Sequence, residues 1–173
     1  MKRFLLSTLL AGLLTGGGGT PTLLAGEKAP DDVVLLVGQS NMAGRAALEK
    51  EDRGVIEGAL LWNVGEGKWE PAEAPLNRYS KLRKSLGMQR LNPGVGFDKS
   101  YIETNPGKKF GIICSARGGT RIEEWAEDQP LYMASVEAAK AALAEGGTLV
   151  AILWHQGESN SKKADSYPEK LKQ

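Results

Sequence analysis

Apolar and polar positions fall in blocks along this chain. Residues 33–37 form an unbroken apolar run with three valines, the pattern of a strand buried on both faces of a parallel sheet. Residues 59–62, 110–114 and 149–154 are further short apolar runs and predict three more strands. Between them, 95–103 reads as a helix, approached through the turn Asn92-Pro93-Gly94 and stopped by Asn105-Pro106-Gly107. An Ala-rich helix is predicted over 131–144, with Gly146-Gly147 past its end, and another helix begins over 165–172. The stretch 78–90 is basic and loosely helical, while Gly65 to Gly67 with Pro71 and Pro75 mark a loop region. Apolar strands alternating with helices predict an α/β fold with a mainly parallel sheet.

The first 25 residues follow another logic. Lys2 and Arg3 precede an apolar run over 4–14, then Gly16 to Gly19 and a small-residue stretch ending near Ala25. This is the order of a signal peptide, with Leu23 bulkier than a cleavage signal prefers. The run falls short of the roughly 20 apolar residues needed to cross a bilayer. The expectation is a leader over 1–25, one domain over 26–173, and a secreted or periplasmic protein with no membrane attachment once the leader is gone.

Composition then narrows the chemistry. Lys plus Arg is 22 and Asp plus Glu is 21, so the basic excess of a phosphate-neutralising nucleic-acid binder is missing. A single cysteine excludes an internal disulfide, and a single histidine, His155, excludes a multi-histidine metal site. The one cysteine, Cys114, lies in an apolar run and reads as a buried, inert thiol. Arg78, Lys81, Arg83, Lys84 and Arg90 read as a solvated basic face, with an anionic-sugar site as the lesser alternative, and the four tryptophans read equally as core or as sugar-stacking surfaces.

Three polar turns follow three of the predicted strands: Gly38-Gln39-Ser40-Asn41-Met42, Ala116-Arg117-Gly118-Gly119-Thr120 and Trp154-His155-Gln156-Gly157-Glu158-Ser159. Parallel strands would bring all three to the carboxyl edge of the sheet, where open α/β sheets bind ligands. Ser40 sits where a strand meets a helix N-terminus and reads either as a helix-capping serine or as a nucleophile near backbone N–H groups. Met42 stands where a G-x-S-x-G elbow would need glycine. Gly118 and Gly119 allow close backbone approach or make a plain tight turn. Gln156 has two N–H donors suited to an oxyanion. Glu158 is able to orient a neighbour or act as a base, and His155 reads as a buried, neutral member of a hydrogen-bond cluster.

Together with Asn92-Pro93-Gly94-Val95-Gly96-Phe97, these motifs resemble the sialate O-acetylesterase and acetylxylan esterase branch of the SGNH hydrolases, the carbohydrate esterase family six type. The resemblance covers roughly 32–171. It implies a three-layer α/β/α sandwich of flavodoxin type, no metal or organic cofactor, and an O-acetylated carbohydrate as substrate. It matches Ser40 to the nucleophile, and the Ser40 N–H, a Gly118 or Gly119 N–H and the Gln156 side chain to the oxyanion hole. Gln39, Asn41, Arg117, His155 and Glu158 support the site. The family's general base is a histidine in a C-terminal Asp-x-x-His motif, and no such motif occurs before Gln173. His155 aligns with the Trp-His-Gln-Gly-Glu block instead. The expectation is therefore a chain truncated before its base and inactive or nearly so. Two alternatives remain: a non-catalytic carbohydrate-binding domain on the same scaffold, and, less favoured, a thiol enzyme pairing Cys114 with His155.

Overall fold

The computed structural model describes residues 29–172. The expected leader over 1–25 lies outside them. Among the described residues no helix is long and apolar enough to cross a membrane.

The first apolar run is the strand β1 (Asp32–Gly38), with all seven residues buried. It runs through the middle of a mostly parallel sheet. Four further strands follow: β2 (Val55–Asn63), β3 (Lys68–Glu73), β4 (Phe110–Ala116) and β5 (Thr148–His155). Their order in the sheet is β3-β2-β4-β1-β5. Strand β1 pairs parallel with β4 on one side and β5 on the other, so Gly38 lies level with both Ala116 and His155. That register carries the three polar turns to one edge, as the parallel reading requires.

The pleat sorts β1 by alternation. Val34 and Leu36 face one cluster with Met42, Val95, Phe110 and Ile112. Val33, Leu35 and Val37 face a second with Ile113, Ala138, Ala139 and Ala142. The first face is covered by α1 (Ser40–Ala43) and α2 (Pro93–Thr104), the second by α3 (Pro130–Ala144). A short helix α4 (Tyr167–Leu171) follows β5. Helices on both faces of a mainly parallel sheet make the three layers expected of an α/β/α sandwich. Helix α3 buries Leu131, Ser135, Ala138, Ala139 and Ala142, which recur at helical spacing.

Three local differences from the sequence reading have physical causes. The stretch with Pro71 is a strand, β3, which pairs antiparallel with β2 around a hairpin at 64–67. It lies at the sheet edge, where proline costs no ladder bond, and Trp69 packs opposite Trp62 with ring centroids 5.1 Å apart. Asn92-Pro93-Gly94 is the start of α2 rather than a separate turn: Asn92 caps it by accepting from Gly94 N, with Pro93 in the first turn. The stretch 78–90 forms only isolated 3-10 turns, at Leu76–Tyr79 and Leu86–Met88. Its arginines bond outside any helix, Arg78 to Glu73 and Arg83 to Ser80 O. Finally, the apolar run over 149–154 forms β5 at the sheet edge, where Ile152 is 59% exposed.

Candidate active site

Strand β1 ends in a backbone that only glycine accepts. Gly38 has φ +140°, and a Cβ there would fall 2.1 Å from the carbonyl oxygen of His155. This close approach lets Gln39 N donate to His155 O at 2.9 Å, and Arg117 N donate to Gly38 O at 3.0 Å. The first turn is thereby tied to the other two through the main chain.

Ser40 opens the four-residue helix α1 and is half-buried. Its Oγ makes no hydrogen bond with any described residue. Gly118 is buried against it: a Cβ at 118 would stand 3.5 Å from Ser40 Cβ. Gly119 is exposed with φ +78°. The backbone N–H groups of Ser40, Gly118 and Gly119 donate to no described residue. An unengaged hydroxyl therefore lies beside a turn with unengaged amide donors, which is the raw material of an oxyanion cradle.

The polar side chains around this pair divide into ties and open groups. Gln39 is buried, and its Oε1 accepts from Gln156 Nε2 at 3.0 Å and from Ser159 N at 3.3 Å. Asn41 Nδ2 donates to Glu158 Oε1 at 2.6 Å, bridging the first and third turns. The same Glu158 oxygen lies 3.6 Å from His155 Nε2. Arg117 Nη1 donates to Leu82 O at 3.1 Å.

Two residues stand differently from the sequence reading. The His155 side chain is 47% exposed rather than buried, because β5 lies at the sheet edge. Gln156 Nε2 donates to Gln39 Oε1, to Thr120 O at 2.9 Å and to Asn160 Oδ1 at 3.0 Å. An amide carries two hydrogens, so three protein acceptors leave none for an oxyanion in this arrangement. Gln156 instead staples the three turns together, with its own Oε1 buried and unpartnered.

Several further residues hold the site, and Asn160 and Arg45 among them carry no sequence signal. Thr120 is buried, donates to Arg117 O and accepts from Trp125 Nε1. Asn160 is buried, accepts from Ile122 N at 2.9 Å and donates to Glu123 Oε2 at 3.1 Å. Arg45 Nη2 lies 2.5 Å from the point where a Gly118 Cβ would stand, and its Nη1 donates to Gly44 O and Met88 O. Lys84 Nζ lies 3.4 Å from the corresponding point of Gly119. Asn92 was visible as part of a motif. Its Nδ2 donates to Met42 O at 2.8 Å and so braces the end of α1.

A cavity of about 440 Å³ opens beside Glu158, lined by Arg121, Glu123, Asn160 and Lys163 among others. An adjoining depression reaches Gly119. Hydrogen bonds, Lys170 foremost, hold the Glu123 carboxyl down at about 2. Burial pushes the Cys114 thiol up, and among the described residues its one polar contact is Asn92 Nδ2 at 3.7 Å, which is not the base a thiolate nucleophile needs. Among the described residues no group of three or more His, Cys, Asp or Glu side chains is gathered as a metal ion would require.

With this geometry in place, comparisons with known proteins are informative. The profile of the family described as "Carbohydrate esterase, sialic acid-specific acetylesterase" matches residues 30–173. A "Probable carbohydrate esterase" of Arabidopsis thaliana is 32% identical over 147 residues, 76% of this chain and 55% of that protein. The solved structure of the protein from the same Arabidopsis locus superposes with a TM-score of 0.72 at 26% identity, covering 83% of this chain and 66% of that one. A carbohydrate acetylesterase from Xanthomonas citri shares the fold, with a TM-score of 0.51 at 20% identity over 81% of this chain and 36% of the other. The chain spans about half the length of the curated relative it matches.

Proposed function

Because the chain belongs to the sialic acid-specific acetylesterase family of carbohydrate esterases, we propose that it carries the nucleophile and oxyanion cradle of an enzyme that removes O-acetyl groups from carbohydrates. Ser40 Oγ attacks the acetyl carbonyl carbon. The carbonyl oxygen takes up negative charge facing the Ser40, Gly118 and Gly119 N–H groups. The tetrahedral intermediate collapses with cleavage of the bond to the sugar oxygen, the proton given up by the Ser40 hydroxyl passes to that oxygen so that the sugar leaves as the alcohol, and an acetyl ester remains on Ser40. Water then attacks that ester and releases acetate and the free hydroxyl. No cofactor enters this scheme.

The observation that carries the reading is the close approach of Gly118 to Ser40, where an added Cβ would stand 3.5 Å from Ser40 Cβ, with Ser40 Oγ and the nearby amides left unengaged. The family's naming and the carbohydrate esterase relatives support an acetylated sugar as substrate. We do not assign the proton-accepting role to His155, whose Nε2 faces Glu158. Glu158 and Asn41 are read as a brace across the mouth of the site, and Gln39, Gln156 and Arg117 as the ties beneath it. Export is part of the proposal, supported by the leader-like order of residues 1–25.

The test is acetate release from O-acetylated mono- and oligosaccharides, followed together with labelling by a fluorophosphonate. Ser40→Ala should abolish labelling and bring acetate release down to the uncatalysed background. Acetate release that survives Ser40→Ala refutes the assignment. The unengaged Ser40 hydroxyl also favours a second reading, a domain that binds acetylated sugars without cleaving them. Sugar binding with neither acetate release nor serine labelling would establish that reading instead.

A further inference from the structure

The end of β4 has a partner that is not a strand. Strand β2 pairs with β4 only from Phe110 to Ile112, then turns away into its hairpin with β3. Beyond that point the β2 side of β4 would expose ladder groups inside the protein, where an unmade backbone hydrogen bond is costly. Asn77, from the 3-10 turn Leu76–Tyr79, fills this position. Its Oδ1 accepts from Ala116 N at 3.1 Å and its Nδ2 donates to Ala116 O at 3.0 Å, so one side-chain amide reproduces both bonds of a neighbouring strand. Asn77 is fully buried. Its Nδ2 is also held by Gln89 Oε1 at 2.7 Å, and Gln89 Nε2 is anchored on Ser85 O.

Ala116 is the last residue of β4, and Arg117-Gly118-Gly119 follow directly. On the opposite side Arg117 N is fixed to Gly38 O. The strand end that launches the glycine turn is thus clasped from both sides, by β1 and by one asparagine. We infer that Asn77 is a positioning residue for the oxyanion cradle: it acts through Ala116 to set where the Gly118 and Gly119 N–H groups lie relative to Ser40. The inference rests on the esterase reading for its catalytic consequence, but its structural content stands apart from that reading.

The experiment uses the full chain with 4-nitrophenyl acetate, alongside Ser135→Ala as a comparison. Ser135 also bonds to β4, through Ser115 Oγ at 2.8 Å, but from the α3 side and away from the turn. Asn77→Ala should lower kcat by about a hundredfold with KM little changed, as expected when oxyanion donors are misplaced, whereas Ser135→Ala should leave kcat within about twofold at a similar loss of Tm. Gln89→Ala keeps both Ala116 bonds and should give a smaller fall in kcat; it carries the test if Asn77→Ala does not fold. A kcat retained in Asn77→Ala and Gln89→Ala while Tm falls would overturn the inference. If turnover survives Ser40→Ala, the esterase reading is what fails; if the wild-type chain gives no turnover, kcat is not the readout. The positioning role is then decided by the amide resonances of Gly118 and Gly119. Movement of both in Asn77→Ala or Gln89→Ala, but not in Ser135→Ala, supports it; unmoved resonances reject it.

Discussion

Replacing Asp98 by asparagine should stabilise the protein at neutral pH and change it little in acid. Asp98 lies on α2 with no exposed surface, and neither carboxylate oxygen has a hydrogen-bond partner. Burial therefore raises its pKa well above the ordinary 3.8. The Cys114 thiol, the neighbouring titratable group, feels the same carboxyl and stays protonated in the same range. The sign follows from proton counting. The unfolded chain releases the Asp98 proton near pH 4, while the native protein keeps it. Stability contributed by this retained proton is complete below the unfolded value and is lost as pH rises. The slope is about 1.4 kcal/mol per pH unit for as long as the native carboxyl stays protonated. Asparagine has nearly the same shape and does not titrate, so the slope disappears. The variant should therefore gain steadily on the wild type as pH rises above about 4, for as long as the native carboxyl stays protonated. Urea midpoints or thermal melts of both proteins across that interval measure it. Two stability curves separated by a constant offset would refute the reasoning, because they would show that Asp98 titrates alike in both states.

Three further outcomes follow from the site. Gly38→Ala should cost at least about 3 kcal/mol in urea unfolding, since its methyl would meet the His155 carbonyl at 2.1 Å on a backbone with φ +140°. Gly118→Ala should behave oppositely: the obstructing atom, Arg45 Nη2 at 2.5 Å, ends a flexible side chain, so stability should hold within about 1 kcal/mol. Its kcat in acetate release should nonetheless fall by about tenfold to a hundredfold, because the methyl would stand in front of Ser40. Lys170→Ala should let the Glu123 carboxyl rise from about 2 toward the ordinary range, read by a carboxyl NMR titration of Glu123. Since a depressed carboxyl stabilises the native state above its unfolded pKa and loses that contribution in acid, the variant's acid-side loss of stability should also be shallower.

The positions of Ser40, Gly118 and Gly119 show how far linear order reaches. Each follows an apolar run, and parallel pairing of those runs is enough to bring the turns to one edge. Gln156 shows where it stops. Its residue type is suited to an oxyanion, yet its amide hydrogens go to Gln39, Thr120 and Asn160. That choice depends on which acceptors folding places within 3 Å, and no spacing rule encodes it. His155 likewise reads as buried from its neighbours, but the exposure of an edge strand is a property of the sheet.

The sequence by itself determined the alternation of strands and helices, the mainly parallel sheet and the three glycine-bearing turns, while Ser40 is matched to a nucleophile only through the family resemblance. These are local or periodic properties: runs of apolar residues, caps and breakers act within a few positions of themselves. Only the tertiary structure decided that β3 completes the sheet, that β5 lies at its edge, that Asn77 stands in for a missing strand beside Ala116, and that Asp98 is sealed away from any partner. Those facts concern groups far apart along the chain, 39 positions for Asn77 and Ala116 and 117 for Gly38 and His155, brought together by hydrogen bonds or burial whose energies depend on ångström-scale placement, and that placement exists only once the layers have packed.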